Sequence, residues 1–183
     1  WESGCKGMTI YRDGSRTGIL VSNDTNNKSE TEFRETKAPK RPKKLDAEII
    51  RFQNEKESWI AVVGMYEGKP YEVFTGKAES FILPQWVEKG WVIRVKDKDS
   101  DKARYDFQFL DKDGYKVTIE GLSRMFNQEY WNYAKLISGI LRHGMPLPNV
   151  VALISKLNFD VDTITTWKNG IVRALKRYIQ DGT

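Results

Sequence analysis

Along this chain the hydrophobic and polar positions change period once, near residue 120. Before it, apolar residues come in short β-branched and aromatic runs set between turn residues, the pattern of strands. Residues 57–65 form such a run, with Trp59, Ile60, Val62 and Val63 close together. Tyr66-Glu67-Gly68-Lys69 reads as a turn. Residues 70–74 return as its partner, Tyr71 and Val73 alternating with Glu72 and Phe74 across a two-faced sheet. Residues 91–95 are a further strand. Residues 105–110 and 115–119 flank Asp111-Lys112-Asp113-Gly114, the clearest short hairpin. Connections this short make neighbours antiparallel, and five or six strands are expected between 46 and 120.

After residue 120 the period lengthens to about 3.6. Leu122, Phe126, Tyr130, Ala134, Ile137 and Leu141 share one helical face, which Gly144 closes. Pro146 and Pro148 begin a second helix carrying Val150, Val151, Leu153, Ile154 and Leu157. Asp162 or Thr163 caps a third, striped by Ile164, Trp167, Ile171, Ala174 or Leu175, and Tyr178. Strands followed by helices predict an α+β domain over residues 46–183, a mostly antiparallel sheet with about three C-terminal helices covering one face.

The preceding residues differ in kind. Residues 17–45 have almost no apolar side chains to bury; positions 23–29 are polar and turn-rich, and positions 37–44 hold two prolines among five basic residues. This reads as a flexible basic linker whose order must come from elsewhere. Residues 1–16 form a Gly-rich segment in which positions 8–11 make a short strand ended by Asp13-Gly14. It has no core of its own and must pack on the later domain or on something outside the chain.

Composition narrows the chemistry. At 183 residues, 39% hydrophobic and 30% charged, the chain suits one core plus an extension. No apolar run approaches the ~20 residues of a membrane span. The net charge of +5 is mild; it fits a solvated surface, and also polyanions such as nucleotides or nucleic acid. One cysteine and one histidine permit neither an internal disulfide nor a four-ligand zinc site, so no metal is expected, and the cysteine usage fits a reducing cytoplasm. Trp1 opens the sequence without a signal peptide after it, so a cut piece or a processed product of something longer is expected.

Residues 4–16, Gly4-Cys5-Lys6-Gly7-Met8-Thr9-Ile10-Tyr11-Arg12-Asp13-Gly14-Ser15-Arg16, resemble the segment that closes the ten-stranded α/β barrel of adenosylcobalamin-dependent (class II) ribonucleotide reductases. Residues 40–180 resemble, more weakly, the accessory domain that follows that barrel. There Tyr71-Glu72-Val73-Phe74 is similar to one family strand, and residues 136–144 to one family helix. The resemblance implies the C-terminal part of a reductase that turns ribonucleotides, diphosphates or triphosphates, into deoxyribonucleotides. It divides the chain into the last barrel strand (1–16), the linker (17–45) and the accessory domain (46–183). It implies adenosylcobalamin, bound by the barrel portion rather than by this chain, and that portion as partner in cis or in trans. The Cys-rich tail of many members, held to re-reduce the active site, does not appear before Thr183.

The family reaction needs a thiyl radical and a reducing cysteine pair, so at least three cysteines. With one, this chain has no complete active site. Cys5, Lys6, Thr9, Tyr11 and Arg12 belong to the barrel-end motif. Cys5 is either a thiol activated by Lys6 and Arg12 or a small residue packed where the strand enters the barrel. Tyr11 either lines the active-site side of the barrel or packs beneath it. Arg12 and Arg16 either meet phosphate or make surface ion pairs. His143 fits a helix cap better than a ligand. Lys40, Arg41, Lys43 and Lys44, with Trp59, Trp86 and Trp91 downstream, offer a basic contact for nucleic acid, without a recognised nucleic-acid motif. Two further readings stand beside the reductase fragment: a separate subunit completing a split reductase in trans, and a non-catalytic nucleic-acid or nucleotide-binding module.

Overall fold

Six strands pair in the order β3-β2-β1-β4-β5-β6, every neighbour antiparallel. They are β1 (Lys44–Asn54), β2 (Glu57–Tyr66), β3 (Lys69–Lys77), β4 (Lys89–Lys96), β5 (Ala103–Leu110) and β6 (Lys116–Ile119). The structure, a computed structural model, describes residues 35–54, 57–96 and 103–179. Contacts divide the chain into Trp1–Glu35 and Thr36–Thr183, and the sheet and its helices belong to the second unit. The strand at residues 8–11, the turn at Asp13-Gly14 and the polar stretch 23–29 lie outside the described residues.

Turn chemistry places the hairpins as the sequence predicts. Glu67 and Gly68 both take positive φ, 50° and 75°, the two-residue turn whose twist matches the strands it joins. Between β5 and β6 the Asp111 carboxylate accepts the backbone N–H of Asp113 and of Tyr115, and Gly114 takes φ 86°. The strand least visible in the sequence is β1, which pairs with both β2 and β4 at the centre of the sheet. Charged Asp46, Glu48 and Arg51 interrupt its apolar set, yet Ala47 and Ile49 are buried on one face and Ile50 and Phe52 on the other.

The sheet is strongly curled. Phe74 of β3 and Tyr105 of β5 stand with ring centroids 5.2 Å apart, although β2, β1 and β4 lie between their strands. Four strand spacings of a flat sheet would separate them by about 19 Å. Two cores result. The concave face holds Ile60, Val62, Phe74, Phe81, Val92 and Phe107. The convex face of β1–β3 carries Phe52, Trp59, Ala61, Val63 and Val73 beneath the helices.

Those helices are α1 (Leu122–Met125), α2 (Gln128–Arg142), α3 (Leu147–Ser155) and α4 (Asp162–Lys176). The apolar stripe expected to run unbroken from Leu122 to Leu141 is in fact two elements. Phe126 is extended (φ −90°, ψ 143°), and the Asn127 side chain accepts the Glu129 N–H to start α2 afresh. The break sends Leu122 and Phe126 into the concave core, and Tyr130, Ile137 and Leu141 into the convex one. The helices therefore do not all share one face. Gly144, at φ 76°, follows the His143 C-cap as the sequence implies. Val161 is the N-cap of α4 and Asp162 its first residue, where a carboxylate favours the helix dipole.

Candidate functional site

Glu72 is a carboxylate in the middle of a strand, flanked by buried Tyr71 and Val73, and is itself fully buried. A buried carboxylate needs partners, and two arginines supply them. Arg41 Nε donates to Glu72 Oε2 at 2.8 Å and its Nη2 to Oε1 at 2.5 Å, a bidentate fork. Arg142, the last residue of α2, donates from Nη2 to Oε2 at 2.6 Å. Both carboxylate oxygens are thus committed, so Glu72 has none left over as a general base.

The segment before β1 is laced across the domain by this knot and its neighbours. Thr36 donates to the His143 carbonyl at 3.1 Å, and its own carbonyl lies 2.8 Å from His143 Nδ1, which donates to it. Tyr71 donates to the Pro39 carbonyl at 2.7 Å. Arg41 also donates to the Pro42 carbonyl at 2.6 Å and lies 5.3 Å over the Tyr105 ring. The Arg94 N–H then donates to the Lys43 carbonyl at 2.8 Å. Residues 36–43 therefore run from the end of α2 over β3 to β4, and their order comes from these bonds rather than from apolar residues of their own.

Beside the knot lies a cleft of about 510 Å³ between β3, β5 and α2. Phe74, Tyr105 and Trp131 form one aromatic wall: Phe74–Trp131 centroids are 5.4 Å apart and Tyr105–Trp131 6.3 Å. Ser123, Gln128, Asn132, Lys135 and Arg142 supply the polar side, and among the described residues no acid lines it. Ser138 closes the floor. Its hydroxyl accepts the Val73 N–H at 2.9 Å and sits 3.2 Å from the Val73 carbonyl, so the edge of β3 is covered by α2 at that residue.

The four basic positions singled out in the sequence do not share one environment. Arg41 faces inward, with its side chain 5% exposed. Lys40, Lys43 and Lys44 are exposed, and Lys44 Nζ lies 3.9 Å over the Trp91 ring. Trp59 is buried against Tyr130 in the convex core, while Trp86 is half exposed with Lys112 Nζ 5.9 Å away. Cys5, Lys6, Thr9, Tyr11, Arg12 and Arg16 lie outside the described residues. The knot itself escaped sequence reasoning. Its one local signal is an acid inside an apolar strand, since its partners stand 31 and 70 residues away.

Among the described residues no group of three His, Cys, Asp or Glu side chains is placed to hold a metal, and no described helix is long and apolar enough to cross a membrane. What the fold and site define is an α+β domain whose curled antiparallel sheet is clamped by a buried carboxylate held between two arginines. The family model for the NrdJ homologue C-terminal domain matches residues 45–180, and the chain belongs to that family, which links it to the class II ribonucleotide reductases. Curated proteins and solved structures gave no match. The family implies adenosylcobalamin in the full enzyme. A protein that held that cofactor would supply a broad seat for its ring and a side chain able to ligate its metal. The chain's one imidazole, His143, is exposed at the end of α2 and is not among the residues that line the described cleft, so no described surface offers a ligand and a seat together. The described residues do not fit that cofactor.

Proposed function

We propose that this chain is the C-terminal part of a vitamin B12-dependent ribonucleotide reductase, in which residues 1–16 complete the catalytic barrel and the domain that follows braces or regulates it. Support comes from order along the chain: a segment resembling the barrel's last strand stands before a domain of the NrdJ homologue C-terminal family. The strap at residues 36–43 adds a physical means of support. It is bonded to α2, β3 and β4 at once, so a pull on the preceding chain reaches the helices and the curled sheet together. On this reading adenosylcobalamin, the thiyl radical and the reducing cysteines belong to the barrel portion, and this chain's part is to complete and steady it.

Reconstitution tests the proposal. The chain is mixed with the barrel portion of a class II reductase lacking its last strand, adenosylcobalamin, dithiothreitol and a ribonucleotide, and deoxyribonucleotide is measured. Activity in the mixture, absent from either component, is expected. A barrel portion fully active alone and unaffected by the chain would overturn the completing role.

A further inference from the structure

The cleft beside the Arg41–Glu72–Arg142 knot combines three features that together select a ligand. Its aromatic wall is built of three rings that meet at a tilt, Phe74 at 39° and Tyr105 at 55° to Trp131, and Tyr105 and Trp131 are only partly buried. Its described charged lining is basic. Arg41 and Arg142 share the single carboxylate of Glu72, Lys135 is exposed on α2 one turn beyond Trp131, and among the described residues no acid lines the cleft. Its volume of about 510 Å³ lies within the ~300–1,000 Å³ typical of small-molecule sites. A flat ring bearing an anion satisfies all three, because π-faces accept any base and cationic side chains favour phosphate.

We propose that this cleft binds a nucleotide, with the base against the Trp131–Tyr105 wall and the phosphate on Lys135 and Arg142. Asn132, held by the Gln128 amide at 3.0 Å, supplies a polar group for the base edge. Binding of this kind needs only the geometry of the cleft, whether or not the chain completes a reductase. A single strand of nucleic acid carries the same chemistry, but a volume of about 510 Å³ is on the scale of a small-molecule site rather than of a strand.

Isothermal titration calorimetry of the whole chain with ATP, CTP, adenosine and an oligothymidylate decides the matter. Saturable binding of at least one triphosphate is expected, with adenosine weaker by about tenfold or more. Lys135→Glu is expected to weaken the triphosphate by a similar factor, while Lys116→Glu, exposed on β6, leaves it unchanged. Lys135 is on the surface, so this variant keeps the fold, which circular dichroism verifies. Trp131→Phe, which retains a ring, should bind more weakly but measurably. Four results would overturn the proposal: no saturable heat with either triphosphate, equal losses in K135E and K116E, adenosine binding as tightly as ATP, or tight binding of the oligothymidylate alone.

Discussion

Arg41 and Glu72 form a two-pronged ion pair, Nε and Nη2 each on one carboxylate oxygen, with side chains 5% and 0% exposed. The pair fastens the entering chain to β3, and through the Arg41 contact with Tyr105 it also spans the gap across the curled sheet. Arg142 completes the set from the end of α2. Three parts of the domain far apart in sequence thus meet at one buried carboxylate.

Removing that carboxylate leaves two guanidinium groups without their shared counter-charge, one of them buried. Glu72→Ala is expected to destabilise the domain by roughly 3–5 kcal/mol. Lys40→Ala and Lys43→Ala, which change exposed side chains of the same segment, are expected to stay within about 0.5 kcal/mol of the parent. Urea unfolding followed by circular dichroism separates them by midpoint at constant slope. Equal midpoints for E72A and K40A would show that the knot bears no stability.

Ser138 caps the outer edge of β3 beneath α2. In Ser138→Ala the Val73 N–H loses its acceptor in a buried setting, at a cost of about 1–3 kcal/mol. Amide hydrogen exchange should report this locally: Val73 exchanges faster in the variant, while the amides of Val92 and Phe107 in the concave core change only by the global loss of stability.

The sequence pattern carried much of this architecture because local chemistry decided it. The Glu67-Gly68 and Asp111–Gly114 turns, the α+β order and the stripes of α3 and α4 are all written within a few neighbouring residues. The helix break was written there too, in Asn127 after Phe126, but the continuing 3.6 period across it masked the cap. The curl was not legible, since it depends on aromatic contacts such as Phe74–Tyr105 between strands that never pair. The same holds for the site. Arg41 was visible as a cation, but its burial follows from a carboxylate 31 residues on, and no local rule joins the two.

Tyr178 gives the domain an alkaline limit. Its hydroxyl donates to Glu48 Oε2 at 2.8 Å, and burial, then that hydrogen bond, pushes its pKa well above the ordinary 10.0. The folded state therefore holds a proton that the unfolded chain releases near pH 10. The stabilisation is complete below that value and drains away as pH rises from it toward the folded-state pKa. Burial raises Tyr71 and Tyr130 in the same direction. Melting temperature should be nearly flat in tyrosine's contribution up to about pH 10 and then fall. Tyr178→Phe, less stable at neutral pH, should show a shallower alkaline fall; an identical slope would remove Tyr178 as a source of it.

Gly170 sets two effects against each other. It lies within α4, where alanine is intrinsically better than glycine by about 0.8–1.0 kcal/mol. A Cβ at this position would stand 2.0 Å from Phe52 Cε2 and 2.1 Å from Cδ2, and Phe52 is a buried ring stacked beside Trp59. Overpacking of this kind costs about 1–3 kcal/mol or more, so sterics outweigh propensity and Gly170→Ala should destabilise. Phe52→Leu removes ring atoms at the point of collision and loses buried contact of its own. If the clash is the cause, the double variant G170A/F52L should be more stable than the sum of the two single losses, a favourable coupling of roughly 0.5–3 kcal/mol in a double-mutant cycle. Strict additivity, or a stabilising G170A, would mean that α4 moves away from β1 without cost and that this helix–sheet contact is not a fixed point of the fold.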